Sequence, residues 1–288
     1  EEGIARMGSY RKGAVAIGAA ALLTVSAVAP AAAQEADHLQ RIMDKGIIVM
    51  STDPQYPPQS FLDDEGEIVG FDLDVGRAIA DKLGVQFVPT PTPWAVVSSG
   101  RWAERMDFSV GSMTITPERQ ESIDFTRPYR YDTAGAALRE GVEADSLEEL
   151  TVCVGEATTY FDWLSGTLTL AEGTGAFATD PPTNVNVVSR ETDRNCADEW
   201  ASGRADSDAW VTSEQTIAQA VEEGLPVVPI GEPVFGEPLA VAFDNSVEDN
   251  DSLVARVDEI VGELRDEGVL TELSEKWYGI DLTTPPTE

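Results

Sequence analysis

Short apolar runs alternate with helical patterns of apolar residues along most of the chain. Behind Asp72, which we expect to cap a helix, the apolar residues Val75, Ile79 and Leu83 recur at helical spacing, and Gly84 ends the pattern. The compact apolar runs predicted to be strands are Gly46–Met50, Val85–Val88 and Met106–Val110. Strands and helices that alternate in this way are typical of a mostly parallel sheet with helices on its faces.

A second α/β half begins at Thr151–Val154, which predicts a new strand. Thr158 or Thr159 opens the next helix, which runs through Leu164. Further helices are predicted at Trp94–Trp102, Asn195–Ala201, Ser213–Glu223, Ser252–Glu267 and Thr271–Trp277, and short strands at Val227–Val228 and Leu239–Phe243. The segment 166–182 predicts a surface loop, and the Gly/Pro-rich segment 231–238 separates the last two strands.

The N-terminal residues have the pattern of an export signal. Basic residues at positions 6, 11 and 12 precede the apolar run Ala14–Val28, which ends in Ala31-Ala-Ala33. We expect residues 1–33 to form a signal peptide that is cleaved after Ala33. The alternative, a membrane anchor, is disfavoured because the apolar run is too short to span a bilayer comfortably. Since no later segment resembles a transmembrane helix, we expect a soluble protein in the periplasm or another extracytoplasmic space.

Charge and composition exclude several functional classes. The formal net charge of −33 produces a surface that repels nucleic acid and anionic lipid, and we interpret it as a solvated acidic face. The single histidine, His38, argues against a Ser-His-Asp or Cys-His site and excludes a multi-histidine metal site within one chain. We expect no cofactor and no metal. The two cysteines, Cys153 and Cys196, are expected to pair in a disulfide because the chain is exported.

One short stretch, Ser109–Arg119, carries the chemistry that holds a carboxylate. Arg119 offers a planar, two-pronged donor, and the hydroxyls of Ser112 and Thr114 can add shorter hydrogen bonds. Pro117 suits the first turn of a helix, so the N–H groups near Thr116 are predicted to point at an anion. The segment contains no lysine, which distinguishes it from a generic basic loop.

Two structural explanations of the same residues stay open. Arg119 could be a surface arginine paired with Glu118 or Glu121. Ser112 and Thr114 could simply cap a helix.

Six segments together resemble the extracytoplasmic solute-binding proteins of ABC transporters, in the polar amino-acid class. They are Asp53–Pro58, Asp64–Asp74, Ser109–Arg119, Asp124–Tyr129, Thr151–Thr159 and Lys276–Gly279, in the order and spacing of that family. The resemblance extends over about residues 41–280. It implies an α/β fold of two lobes, each a mixed, mostly parallel sheet flanked by helices, joined by two crossing strands. Lobe 1 would comprise residues 35–137 plus 239–288, and lobe 2 residues 138–238.

The resemblance also implies which residues bind the ligand. Arg119 matches the arginine that holds the ligand α-carboxylate, helped by Ser112, Thr114 and the backbone of Gly111. The second-lobe residues Thr158 and Thr159 match those that reach the same carboxylate, and the first-lobe residues Asp53, Tyr56 and Trp94 match pocket-lining positions. The aromatic residues among them could instead complete a core, and Asp53 could merely shape the turn at Pro54.

The chain departs from the family pattern at the position that binds the ligand amine. Relatives place an aspartate five residues after the last residue of Gly203-Arg-Ala-Asp206, where this chain has Val211. Asp208, Ser213 or Glu214 could substitute, and a two-residue slip would put Ser213 at the missing position. Ala157 also stands where glycine is common. Glu156 would favour a cationic ligand group if it faces the cleft.

The resemblance implies a non-catalytic, monomeric protein. It would capture a small carboxylate or zwitterion, such as an amino acid, in the cleft between the lobes and present it to the membrane permease of an ABC transporter. The alternative is an enzyme on the same scaffold that resembles cyclohexadienyl dehydratase. Its chemistry would need a buried acid at the cleft, for which Glu156 is the candidate.

Overall fold

The computed structural model describes residues 36–285. The predicted signal peptide, with its cleavage after Ala33, lies outside these residues, as do the last three positions. Within the described part, no helix combines the length and apolar character needed to cross a membrane.

A large sheet of nine strands dominates the fold, and a small three-stranded sheet lies beside it. In chain order the strands are β1 Ile47–Thr52, β2 Gln55–Tyr56, β3 Ser60–Leu62, β4 Ile68–Val69, β5 Gln86–Pro91, β6 Phe108–Thr114, β7 Ile123–Arg139, β8 Thr151–Gly155, β9 Phe177–Ala178, β10 Asn186–Arg190, β11 Ala209–Ser213 and β12 Val227–Asp244. The large sheet runs β10-β8-β11-β7-β12-β6-β1-β5, with β9 paired to β12. The predicted α/β fold with two crossing strands is therefore confirmed.

Helices cover both ends of this sheet. In chain order they are α1 His38–Lys45, α2 Phe71–Leu83, α3 Trp94–Ser98, α4 Thr159–Leu164, α5 Arg194–Ala201, α6 Glu214–Glu222, α7 Asp251–Asp266 and α8 Val269–Tyr278. The apolar spacing predicted for α2 is reproduced in its buried face, which contains Val75, Ile79 and Leu83. In α7 the buried face contains Leu253, Val257, Ile260 and Leu264 at the same kind of spacing.

The two longest strands, β7 and β12, lie in the middle of the sheet and pair antiparallel with each other. We predicted two short strands where β12 is continuous. The register between β12 and β7 shifts between Ile230 and Phe235, so the Gly/Pro-rich segment is accommodated as an irregularity rather than a break. β7 and β12 thus connect the two halves of the sheet.

Separate hydrophobic cores form on either side of these strands. One core contains buried residues of β1, α2, β6, α7 and α8 and meets the long strands at Tyr129 and Leu239. Another contains buried residues of β8, α4 and β11 and meets them at Ala134 and Phe235. Charged residues of β7 and β12 therefore lie between these two cores.

Two helix predictions were wrong at their ends. Asp72 does not cap α2, because the helix begins at Phe71 after Gly70, whose φ of 133° favours glycine. Asp72 is instead fully buried within the first turn. The helix predicted at Trp94–Trp102 ends after Ser98, since Gly100 adopts a φ of 62° that leaves the helical region.

The predicted disulfide is confirmed, because Cys153 of β8 is bonded to Cys196 of α5. Both cysteines are buried in a third apolar cluster with Trp200 and Trp210. The bond therefore joins the first strand of the second half to the helix that follows β10.

We expect the double variant Cys153→Ala/Cys196→Ala to lose stability. The bond joins positions 43 residues apart, a loop worth up to about 4 kcal/mol in the chain-entropy description of disulfides. Urea unfolding of the wild type and the variant measures the loss. A reductant should lower the wild-type midpoint toward that of the variant and leave the variant unchanged; equal midpoints in oxidising buffer would contradict the expectation.

Candidate functional site

A cavity lies where the carboxyl ends of several strands meet. Asp53 follows β1, Gly111 and Thr114 lie in the second half of β6, and Gly155 ends β8. β1 and β6 are parallel, as are β8 and β10, so their carboxyl ends point to the same region, which is where open α/β sheets bind ligands. The cavity is narrow, with a volume of about 40 Å³.

The cavity lining includes all the predicted ligand-binding residues except Glu156. The predicted residues that line it are Asp53, Tyr56, Trp94, Gly111, Ser112, Thr114, Arg119, Thr158 and Thr159. Glu156 is exposed and outside the lining, so the structure gives it no place in the cavity. Six further acidic or hydroxyl side chains that we did not predict complete the polar lining: Ser60, Tyr160, Glu191, Thr192, Asp193 and Glu237.

The Arg119 guanidinium is held by main-chain carbonyls rather than by acids. Its Nη1 donates to the carbonyl oxygen of Thr114 at 3.1 Å, and its Nη2 donates to that of Ala157 at 3.2 Å. It also lies over the Trp94 ring, 5.5 Å from the ring centroid. Among residues 36–285 no carboxylate is within ion-pair distance of this guanidinium, so the alternative of a surface pair with Glu118 or Glu121 is not what the structure shows.

The helix expected to begin at Pro117 does not form. The chain makes only a short 3-10 turn at Arg119–Glu121. The N–H of Arg119 donates to Thr116 Oγ1 at 3.2 Å, and the N–H of Gln120 donates to the Thr116 carbonyl at 3.0 Å. These N–H groups already have partners within the turn, so the guanidinium alone is left to receive an anion from this segment.

Ser112 lines the cavity, but its hydroxyl is committed to a buried network. Its Oγ donates to Asp72 Oδ2 at 2.8 Å and accepts from Arg130 Nη2 at 2.9 Å. Its main-chain N–H donates to the Tyr129 hydroxyl at 2.9 Å. Ser112 also has a φ of 52°, a strained conformation for a residue other than glycine. The network therefore fixes the bend of β6 at the cavity wall.

Glu237 of β12 occupies the position between the two predicted threonines. Its Oε2 accepts a short hydrogen bond from Thr114 and another from Thr159 at 2.9 Å. Glu237 is only 2% exposed, and burial raises the pKa of its carboxyl to about 6, with the nearby Asp132 raising it further and the two hydroxyls lowering it. The hydroxyls that we assigned to a ligand carboxylate therefore bind a carboxylate of the protein.

Two more buried acids line the cavity. Burial raises the pKa of Asp193 to about 7, although its Oδ1 accepts the Gly155 N–H at 3.1 Å. Burial likewise raises the pKa of Asp53 to about 6, although its Oδ1 accepts the Gln55 N–H at 3.1 Å. Glu191 is exposed and stands at the cavity mouth. The carboxylates in this lining outnumber its single arginine.

The residues proposed to replace the missing amine-binding aspartate lie away from the cavity. Val211 is buried in β11 opposite Ala136. Ser213 caps α6 and donates to Asp132 Oδ2 at 2.8 Å. None of Asp208, Ser213 and Glu214 belongs to the cavity lining.

Three contacts hold the two sides of the cavity together. Trp94 Nε1 donates to the Ala157 carbonyl at 2.9 Å, next to the Arg119 bond to the same oxygen. The hydroxyls of Tyr56 and Tyr160 lie 2.8 Å apart. Ala157 has a φ of 58°, which is a strained backbone conformation for a residue other than glycine. Its carbonyl oxygen accepts from both Trp94 and Arg119. The cavity is therefore enclosed from both halves of the sheet.

Comparison with known proteins identifies the class. Residues 48–280 match the bacterial extracellular solute-binding proteins, family 3, and the chain belongs to that family. The L-cystine-binding protein TcyJ of Escherichia coli K12 is 28% identical over 279 residues, which cover 93% of this chain and 98% of that protein. The histidine-binding periplasmic protein of the same strain is 26% identical, covering 82% and 88% respectively.

Solved structures agree on the two-lobe fold. An ancestral amino acid-binding protein, described as a precursor of cyclohexadienyl dehydratase, aligns with a TM-score of 0.68 and 27% identity, covering 83% of this chain and 99% of that one. An ancestral arginine-binding protein bound to arginine aligns with a TM-score of 0.69 and 27% identity, covering 81% and 99%. The cyclohexadienyl dehydratase of Pseudomonas aeruginosa is 34% identical, but over only 40% of this chain and 42% of that enzyme.

We expect Glu237→Gln to change how stability depends on pH. Because the folded-state pKa of Glu237 is raised from 4.5 to about 6, folded protein holds this proton more tightly than unfolded protein. The stability that this group contributes is therefore lost as pH rises between about 4 and about 7.5, by roughly 2 kcal/mol. Glutamine keeps an acceptor for both threonines but does not ionise.

Urea unfolding at these two pH values measures the difference between variant and wild type. The free energy of unfolding of the variant, relative to that of the wild type, should rise by about 2 kcal/mol from the lower to the higher pH. Glu232→Gln is the matched control, since Glu232 is exposed in the same Gly-Glu-Pro sequence of β12. A difference that stays constant with pH would refute the buried ionisable role of Glu237.

Proposed function

We propose that this protein binds a small solute that carries a carboxylate, an amino acid or related zwitterion, in the cavity and delivers it to the permease of an ABC transporter. The observation that carries the proposal is the Arg119 guanidinium, which lines the cavity and has main-chain carbonyls but no acid as partners. Relatives named for binding cystine, histidine and arginine support the amino-acid class.

Arg119 suits a carboxylate for physical reasons. The carbonyls of Thr114 and Ala157 and the face of Trp94 orient the guanidinium without neutralising its charge. Burial lowers the pKa of Arg119, so a partner anion would stabilise its charged form. A carboxylate that accepts hydrogen bonds from both terminal nitrogens of Arg119 inside a narrow cavity forms a charge-assisted contact, which is stronger than a hydrogen bond between neutral groups.

Delivery requires the cleft to open. We assign residues 35–137 plus 239–288 to lobe 1 and residues 138–238 to lobe 2, which hinge across β7 and β12. The Tyr56–Tyr160 and Arg119–Ala157 contacts join the lobes, so the structure corresponds to a closed arrangement that a solute could enter only after these contacts separate. In this proposal the mature protein is a periplasmic or otherwise extracytoplasmic monomer, exported by a cleaved signal peptide.

We expect Arg119→Ala to weaken binding of the best amino acid found in a thermal-shift screen by about 2–5 kcal/mol, roughly 30-fold to several thousand-fold. In this variant the carboxylate of the bound ligand is buried without the arginine that would pair with it. Arg119→Lys should also bind poorly, since a point charge cannot reproduce the two-pronged contact. Isothermal titration calorimetry measures the affinities.

Arg101→Ala is the control, because Arg101 is exposed and outside the cavity lining. It should bind as the wild type does. Melting curves on all three variants separate a ligand role from a structural one. Normal affinity in Arg119→Ala would rule out the carboxylate assignment.

A second candidate function is an enzyme on the same scaffold. The observation in its favour is the pair of buried acids, Glu237 and Asp193, whose raised pKa values would let them donate protons near neutral pH. We favour the binding protein because the relatives that match most of the chain are binding proteins, whereas the dehydratase matches less than half.

We expect purified protein to show no turnover of prephenate or arogenate in an absorbance assay. A rate that is present in the wild type and lost in Glu237→Gln or Asp193→Asn would favour the enzyme instead. The exposed Glu156 provides the control, since Glu156→Gln should leave any such rate unchanged.

A further inference from the structure

The acidic groups of the cavity are concentrated on strand ends remote in sequence from Arg119. Asp53 follows β1, and Glu191 and Asp193 follow β10. In the described part of the chain, no lysine or arginine forms an ion pair with any of these three carboxylates. Electrostatic repulsion from Asp53 contributes to the raised pKa of Asp193, and repulsion from Glu191 to that of Asp53, so the three groups share one electric field.

A buried hydroxyl without a partner lies within the same segment. Thr192 stands between the two acids of the β10 end, lines the cavity and is only 3% exposed. Its Oγ1 has no hydrogen-bond partner in the structure. A buried hydroxyl left unsatisfied costs about 1–3 kcal/mol, so its position at the cavity indicates a ligand group that completes its bonding.

The balance of charge shows what that ligand group must be. A ligand carboxylate on Arg119 neutralises the single cation of the lining and leaves four carboxylates: Asp53, Glu191, Asp193 and Glu237. One ligand α-ammonium can serve Glu237, which lies in the electric field of Arg119. Asp53 and Asp193 are buried, whereas Glu191 is exposed. A buried carboxylate without a cation is costly unless it takes up a proton, so a second positive group at the β1 and β10 ends would stabilise the ionised forms of Asp53 and Asp193.

A metal ion is not the partner that the geometry favours. Among residues 36–285, no three His, Cys, Asp or Glu side chains are placed so that they could hold a metal ion together. The cavity is narrow, and the hydroxyl of Thr192 is the one unsatisfied hydroxyl among its lining residues. Both features fit an N–H donor of an organic cation, which needs only one or two carboxylate partners at hydrogen-bond distance.

We propose that Asp53, Asp193 and Glu191, together with the Thr192 hydroxyl, form a subsite for a cationic side chain, and that the solute is therefore a basic α-amino acid of the diamino or guanidino type. This inference rests on the proposed function, because Arg119 must hold the carboxylate end. The subsite discriminates against neutral and acidic amino acids, since these leave Asp53 and Asp193 buried without a cation.

Pairs of solutes with similar shape and different charge test the subsite; citrulline matches arginine atom for atom, and norleucine is lysine without its terminal ammonium group. Titration calorimetry at about pH 8, where the acids are ionised, compares arginine with citrulline and lysine with norleucine, and adds 2,4-diaminobutyrate as a shorter diamino acid. In at least one pair, the cationic member should bind at least about tenfold more tightly than its neutral isostere. Affinity for the cation should also fall as pH is lowered through about 7 to about 5, since protonation removes the charge of the subsite.

The variant Asp193→Asn tests the subsite by changing the protein instead of the solute. Asparagine keeps an acceptor for the Gly155 N–H, so the fold should persist, which a melting curve checks. The variant should lose about tenfold or more in affinity for the cation and stay within about threefold for the neutral isostere. Asp180→Asn, an exposed residue outside the lining, controls for the change in net charge and should leave both affinities unchanged.

The outcomes separate this inference from the proposed function. If citrulline and norleucine bind as tightly as their cationic partners, or if only neutral or acidic amino acids bind, the subsite is overturned and the amino-acid function stands. If none of the twenty amino acids, nor 2,4-diaminobutyrate, citrulline and norleucine, binds, both proposals fall. If cations bind but Asp193→Asn does not lower their affinity, the assignment of the subsite to this segment is overturned.

Discussion

The two long strands in the middle of the sheet bring charged side chains into a region that water does not reach. Glu237 of β12 pairs directly with Asp132 of β7, and Leu239 pairs with Arg130. Both Glu237 and Asp132 are 2% exposed, and Arg130 is fully buried. Like charges opposite each other on neighbouring strands destabilise a sheet, so this pairing requires compensation. Much of the surrounding structure supplies it.

The compensation comes from both sides of the strands. Arg130 lies 3.0 Å from Asp132 and stacks between the rings of Phe71 and Tyr278, at 5.7 Å and 5.2 Å from their centroids. Ser213 donates to Asp132. Because removing charges from water costs nearly as much as their pairing returns, such a network adds little net stability. It fixes the relative positions of β6, β7 and α2, which form the first wall of the cavity.

Apolar periodicity predicted the long helices, the strands β1, β5, β6 and β8 and the two ends of β12, because it reports which face of each element is buried. It did not predict β7, β10 or β11 as strands. Most of the cavity lining was also predicted. The residues that the family motif carries, such as Arg119 and Thr159, line the cavity because they lie in local segments at strand ends. The motif did not predict that the hydroxyls of Thr114 and Thr159 would be bound by Glu237.

Long-range pairing explains what the sequence could not show. Gly-Glu-Pro occurs twice in β12, and only pairing with β7 makes Glu237 buried and Glu232 exposed. Asp193 was missed because it precedes a helix in a segment rich in charge, where a solvated acid is the ordinary expectation. Ser213 and Val211 illustrate the opposite case, because aligning the family pattern suggested a role there. In the fold, Ser213 donates to Asp132 of β7 and Val211 is buried in β11.

The disulfide shortens the chain path to one wall of the cavity. The hydrogen bond from the Gly155 N–H to Asp193 joins residues 38 apart in sequence. Through the covalent bond the path is far shorter, since Asp193 lies three residues before Cys196 and Gly155 lies two residues after Cys153. In a chain with the disulfide formed, this contact closes a small ring instead of a long loop. The entropic cost of forming the contact is therefore smaller. Oxidation of the two cysteines thus converts a non-local contact of the cavity wall into an effectively local one.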